Sequence, residues 1–199
     1  VHAPYGVAAE FTPAAADPVG PFGAPAGPFV LHVGSHLPRK RIDVLLDAFA
    51  AVVGDRPDLS LVQVGPPFGP AAAARVGRLG IGANVVKLAG LTRPQLADLY
   101  RRAAAVLVPG FGLPVVEALA CGAVVIASDI PVLREVGGGA AVFRPVGDVA
   151  AWAGAVRGVL ADPAAAPPRA ARLSRAAGYS WAAHARVIGE AYLRLAAGG

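Results

Sequence analysis

Short apolar runs and stretches of helical spacing alternate along most of this chain. Residues 29–33, Phe29-Val30-Leu31-His32-Val33, form a run of strand length, and residues 42–49 repeat apolar positions at helical spacing. Strands are predicted at 59–64 and 84–88, with helices at 71–79 and 95–104, the second capped by Thr92. Apolar runs at 105–108 and 123–127 flank a helix that opens near Pro114. A short helix at 130–136 and a sixth strand at 140–143 follow, then helices over 148–160, 169–177 and 182–196. Six apolar strands alternating with helices predict an α/β fold, a doubly wound parallel six-stranded sheet of Rossmann-like type. Ligands of such sheets sit at the carboxyl ends of the strands. Residues 1–28, rich in Pro, Ala and Gly, are expected to be a linker or extended arm. Residues 29–178 then make the sheet domain and 179–199 a C-terminal helix.

Composition narrows the classes. At 199 residues the chain suits one domain. Hydrophobic content of 55% against 16% charge excludes disorder. No apolar run reaches the roughly 18–20 residues of a membrane span, and no signal-peptide pattern opens the chain. A net charge of +5 raises the question of nucleic acid. The arginines are scattered without stacking aromatics, so no nucleic-acid partner is expected. The single cysteine, Cys121, excludes an internal disulfide, fits a cytoplasmic setting and is expected to be a small packed residue. Four histidines stand without carboxylates or thiols at ligand spacing, so neither a metal nor another cofactor is expected. The chain has no methionine and begins at Val1-His2-Ala3-Pro4-Tyr5-Gly6-Val7, as a piece of a longer protein would.

Two loops carry candidate chemistry. Pro109-Gly110-Phe111-Gly112-Leu113-Pro114-Val115-Val116-Glu117 joins a buried strand to a helix. Backbone N–H groups at such a helix start favour an anion. Glu117, three residues past Pro114, is placed to meet a hydroxyl beside that anion. A carboxylate for hydroxyls next to amides for phosphate suits a sugar nucleotide. The first strand runs into Gly34-Ser35-His36-Leu37-Pro38-Arg39-Lys40-Arg41. Three cations at a helix start are unfavourable by themselves, and a bound anion would offset that. Lys87-Leu88-Ala89-Gly90 closes the third strand. Glu135 is expected to cap its helix or to pair with Arg134, a structural part.

These blocks, in this order over about residues 28 to 190, resemble the family 4 glycosyltransferases. That family's donor loop reads E-G-F-G-L-P-x-x-E-A-x-A-C-G, and its diphosphate segment takes the variant form V-G-T-x-x-P-R-K-N. The resemblance implies the C-terminal, donor-binding domain of a GT-B pair, with a missing N-terminal acceptor domain reached through Pro4-Tyr5-Gly6-Val7. Tyr179-Ser180-Trp181 resembles the start of the helix returning to that domain. It implies a hexosyltransferase that retains anomeric configuration, uses a UDP-, GDP- or ADP-sugar and needs no metal. The longer protein would be cytoplasmic, with peripheral contact to the inner membrane. Lys40 matches the lysine that holds the diphosphate. Arg39 is its helper, since Ser35 stands where many members carry arginine. Glu117 would hold the ribose hydroxyls; these three form the implied catalytic set. Gly34, Ser35, Val86, Lys87, Gly110, Phe111, Gly112, Leu113 and Pro114 complete the implied donor site.

One position departs from the pattern. Eight residues before Glu117 the family has a glutamate, and here stands Pro109. Either the loop is shortened and the donor-sugar carboxylate lost, or residues are absent from the sequence at that point. A nucleotide-sugar-binding domain without transferase activity is therefore a second reading. An NAD-type Rossmann enzyme is a third, disfavoured because no G-x-G-x-x-G follows the first strand and no acidic residue ends the second.

Overall fold

A computed structural model describes residues 2–14, 20–110 and 112–197. Strands β1 (Phe29–Val33), β2 (Ser60–Val64), β3 (Val85–Leu88), β4 (Ala105–Val108), β5 (Val125–Ser128) and β6 (Val142–Arg144) form one sheet. Every pairing is parallel, in the order β3-β2-β1-β4-β5-β6. Alternate residues face opposite sides of a strand, so each strand feeds two cores. Leu31, Val62, Val106, Val125 and Ala127 pack on one side, and Val30, Leu61, Leu107 and Ile126 on the other. Burial on both faces explains why the strands read as near-continuous apolar runs.

Helices α1 (Ile42–Val53), α2 (Pro70–Leu79) and α6 (Val149–Ala161) cover the second face. The first is covered by α3 (Arg93–Arg102), α4 (Pro114–Ala120), α5 (Pro131–Gly137) and α7 (Arg169–Ala177). Thr92 and Gln95 close a capping box on α3, Gln95 N donating to Thr92 Oγ1 and Thr92 N to Gln95 Oε1. Asp148 caps α6 by accepting from Ala151 N at 2.9 Å. Trp152, fully buried on α6, satisfies its indole N–H at Pro145 O, 3.1 Å away.

The sixth strand starts two residues later than the pattern predicts. Gly138, at φ +52°, ends α5, and a 3₁₀ turn over Gly138–Ala140 takes the intervening residues. Arg175 of α7 donates to Val136 O at 2.9 Å and also to Glu135 O, satisfying the last carbonyls of α5.

The N-terminal segment has no regular element among its described residues except a bridge pairing Val7 with Ser180. It is nevertheless packed. Phe11 is buried and meets the Tyr100 ring edge-on, centroids 5.7 Å apart. The last helix, α8 (Trp181–Ala197), exposes Tyr192, Leu193 and Leu195. No described helix is long and apolar enough to cross a membrane.

Candidate functional site

The strand order reverses between β1 and β4, and a doubly wound sheet opens its ligand crevice at that switch point. Both loops singled out above leave the sheet there. After β1, Gly34 N extends the ladder by donating to Val64 O at 2.9 Å. Gln63 Nε2 holds Gly34 O at 3.0 Å. A 3₁₀ turn over Pro38–Lys40 then leads through Arg41, in left-handed conformation at φ +48°, into α1.

The three cations of this turn part company. Arg41 pairs with Asp43 of the first helical turn, Nε to Oδ1 at 3.1 Å and Nη2 to Oδ2 at 2.9 Å. That hydrogen bond raises the Arg41 pKa and lowers the Asp43 pKa. Arg39 is exposed. Lys40 is partly buried and lies across Gly34, where a methyl group would stand 3.7 Å from its Cε. Its ammonium arrives over the second loop: a methyl on Gly112 would be 2.7 Å from Nζ. Burial, then the charge of Arg39, lower the Lys40 pKa. An anion at this place would act in the opposite sense.

The second loop leaves β4 at Val108 and reaches α4 by Leu113. Ser128 Oγ donates to Pro109 O at 2.6 Å and fixes the exit from the strand. Gly110 packs directly on the first loop, since a Cβ there would lie 2.1 Å from Arg39 O and 2.5 Å from Lys40 Cα. The two loops therefore touch backbone to backbone. Among the described residues no side chain caps the start of α4. Leu113 is exposed and Pro114 buried; Phe111 lies outside the described residues. Gly112 and Leu113 also border a mostly apolar cavity of about 260 Å³ with Tyr5, Val116, Val132 and Tyr179.

Glu117 sits in the first turn of α4, half-buried. Its Oε2 accepts from Tyr100 Oη at 2.8 Å. Burial raises the Glu117 pKa, while the Tyr100 hydrogen bond and the charge of Arg93 lower it. Val86 and Lys87 are neighbours on β3 and so face opposite sides. Val86 packs toward the α3 side, and Lys87 Nζ stands 6.0 Å from the Phe68 ring centre. Phe68 in turn meets the His36 ring at a tilt of 57°, centroids 4.8 Å apart. Ser35 is partly buried in the first loop.

Glu135 does not pair with Arg134. Arg134 bonds Asp129, Nη2 to Oδ2 at 2.6 Å, because Asp129 at the end of β5 faces the start of α5. Glu135 meets His2 at 2.8 Å instead. Cys121 is buried, and its thiol is pushed up to about 12 by that burial. Periodicity reveals neither Tyr100 nor Ser128 as a loop-holding residue. Tyr100, in the polar helix α3, gives no signal, and Ser128 gives only its polarity at the end of an apolar strand. His32 and Gln63 likewise stand out by polarity in β1 and β2. Among the described residues no three His, Cys, Asp or Glu gather as metal ligands.

A doubly wound α/β domain with two loops meeting at its switch point belongs to the Rossmann-like class. Comparison narrows the class. The profile of the glycosyl transferases group 1 matches residues 23–178. The chain is 34% identical to the D-inositol 3-phosphate glycosyltransferase of Kineococcus radiotolerans over 198 residues, covering 86% of this chain and 46% of that protein. Sucrose-phosphate synthase from Thermosynechococcus elongatus superposes with a TM-score of 0.74 at 31% identity, over 87% of this chain and 47% of that one. Anabaena HepE, solved with UDP-glucose, shares the fold at a TM-score of 0.72 and 20% identity, over 84% and 49%. This chain belongs to the group 1 glycosyltransferases, and its sheet is the Rossmann-like domain of their GT-B fold. It spans less than half the length of the curated relatives it matches.

Proposed function

We propose that this chain binds a nucleotide-sugar donor, UDP-, GDP- or ADP-linked, for a glycosyltransferase that retains anomeric configuration. The observation that carries the reading is Lys40, which crosses Gly34 to bring its ammonium over Gly112 where the two loops touch. A diphosphate lying there would meet one fixed cation, with Arg39 able to approach from the exposed side. Departure of the nucleotide develops negative charge on the diphosphate. Charge stabilisation aimed at that group is the largest contribution a site of this kind offers. The cation supplies it without a metal. Glu117 would accept from the ribose hydroxyls, and the β3 end at Val86 and Lys87 would neighbour the base. A separate acceptor-binding domain would complete the enzyme.

Names of relatives support the donor class. HepE is solved with UDP and with UDP-glucose, and curated relatives are inositol phosphate glycosyltransferases. Family membership sets aside the NAD-type alternative. One observation favours donor binding without transfer: Pro109 stands where the related loop carries its first glutamate.

Lys40→Ala tests the reading. Removing a charge-assisted phosphate contact is expected to weaken the diphosphate by roughly 1.5–3 kcal/mol. The matching nucleoside should lose far less. Calorimetric titration of UDP, GDP and ADP against uridine, guanosine and adenosine gives the comparison. Equal losses for nucleoside and diphosphate would place Lys40 away from the phosphates.

A further inference from the structure

We infer that Tyr100 is a positioning residue that sets the ribose selectivity of this site by holding one oxygen of Glu117 and presenting the other. The inference rests on the reading above, in which Glu117 meets the ribose hydroxyls.

Tyr100 is fully buried on α3, within the core beneath α4. Packing alone would be served by phenylalanine, since its neighbours are apolar and the Phe11 ring meets it edge-on at 5.7 Å. A buried phenol requires a partner. Here the partner is the Glu117 carboxylate, with Oη donating to Oε2 at 2.8 Å. Among the described residues Oε1 accepts no hydrogen bond. One oxygen is therefore anchored in the protein, and the other is available to a diol.

The anchor acts in two ways. It restricts the side chain to one orientation, so a ribose hydroxyl meets an acceptor already in place. It also favours the ionised carboxylate against the burial that raises its pKa. Arg93 adds charge in the same sense from the start of α3. Phe11, from the N-terminal segment, closes the space beside the tyrosine ring. Selectivity for ribose is thus built from a residue that never touches the ligand.

The test is calorimetric titration of the parent chain, Tyr100→Phe, Glu117→Gln and the double variant. The probes are whichever of UDP, GDP and ADP binds tightest, its 2′-deoxy analogue, and the matching nucleoside. The parent is expected to prefer the ribonucleotide by about tenfold, the worth of one hydrogen bond to a charged group. Tyr100→Phe should cut that preference to about threefold or less, while the diphosphate-to-nucleoside ratio stays as in the parent. Adding Tyr100→Phe to Glu117→Gln should change the preference no further, because the two residues act as one unit. Full preference in Tyr100→Phe, beside its loss in Glu117→Gln, would overturn the role of Tyr100 and leave the ribose reading standing. An undiminished preference in Glu117→Gln, or none in the parent, would overturn the ribose reading itself. If Tyr100→Phe does not fold, Phe11→Ala loosens the same ring without touching the hydroxyl. It should lower the ribose preference, and an unchanged preference there would also overturn the inference.

Discussion

His32 occupies β1 with its ring fully buried. Nδ1–H donates to Leu107 O on β4 at 2.9 Å, while Nε2 lies buried without a partner. Burial pulls its pKa down from 6.5 to about 4. The folded state therefore binds the imidazole proton less readily than the unfolded chain. Stability from this group is present in full above about pH 6.5 and is lost as pH falls toward 4. At pH 5 the loss amounts to about 2 kcal/mol relative to pH 7. Urea unfolding at the two pH values should show it, and His32→Asn, which keeps a donor but does not titrate, should lack that part of the decline. Equal declines in parent and variant would mean that His32 is not the group responsible. The sequence marks His32 as a lone polar residue in an apolar run. Its partner stands 75 residues away and is invisible to any local pattern. The same holds for Tyr100 and Glu117, whose contact joins two helices. Lys40, by contrast, lies in a contiguous loop, where its candidate chemistry can be read from the sequence alone.

At the scale of elements, the strand and helix pattern was legible nearly throughout, because a sheet buried on both faces writes itself as apolar runs. What was not legible came from contacts between elements. Arg175 finishes α5 from α7 and delays β6, and Phe11 draws an arm without periodicity into the core. The meeting of the two loops is the most consequential of these contacts. Gly110 leaves no space for a side chain against Arg39 and Lys40. Gly110→Ala should force the loops apart and destabilise the fold by roughly 1–3 kcal/mol, the usual cost of overpacking. It should also weaken diphosphate binding, because Lys40 would be displaced from Gly112. A urea midpoint and a nucleotide affinity both equal to the parent's would contradict the close contact.

At the scale of the molecule, the proposed reading gives this Rossmann-like domain only the donor, one of the two substrates of a transfer. Holding donor and acceptor together supplies much of the rate of such a transfer. The 199-residue chain is therefore expected to show no glycosyl transfer to an added acceptor, and at most slow donor hydrolysis. Radiolabelled donor incubated with candidate acceptors reads this directly. Efficient transfer would mean that one domain suffices. The family was legible in the sequence from the two loops and their order. The donor base and sugar were not, since none of the resembling segments implies a contact that distinguishes one base or sugar from another.

Donor binding is the central claim, and calorimetric titration of the isolated chain with UDP, GDP and ADP in EDTA tests it most directly. Saturable binding of at least one diphosphate, and of its sugar-linked form, is expected with the metal removed. Absence of binding by all three at millimolar ligand would contradict the assignment of the Lys40–Gly112 crevice as a diphosphate site.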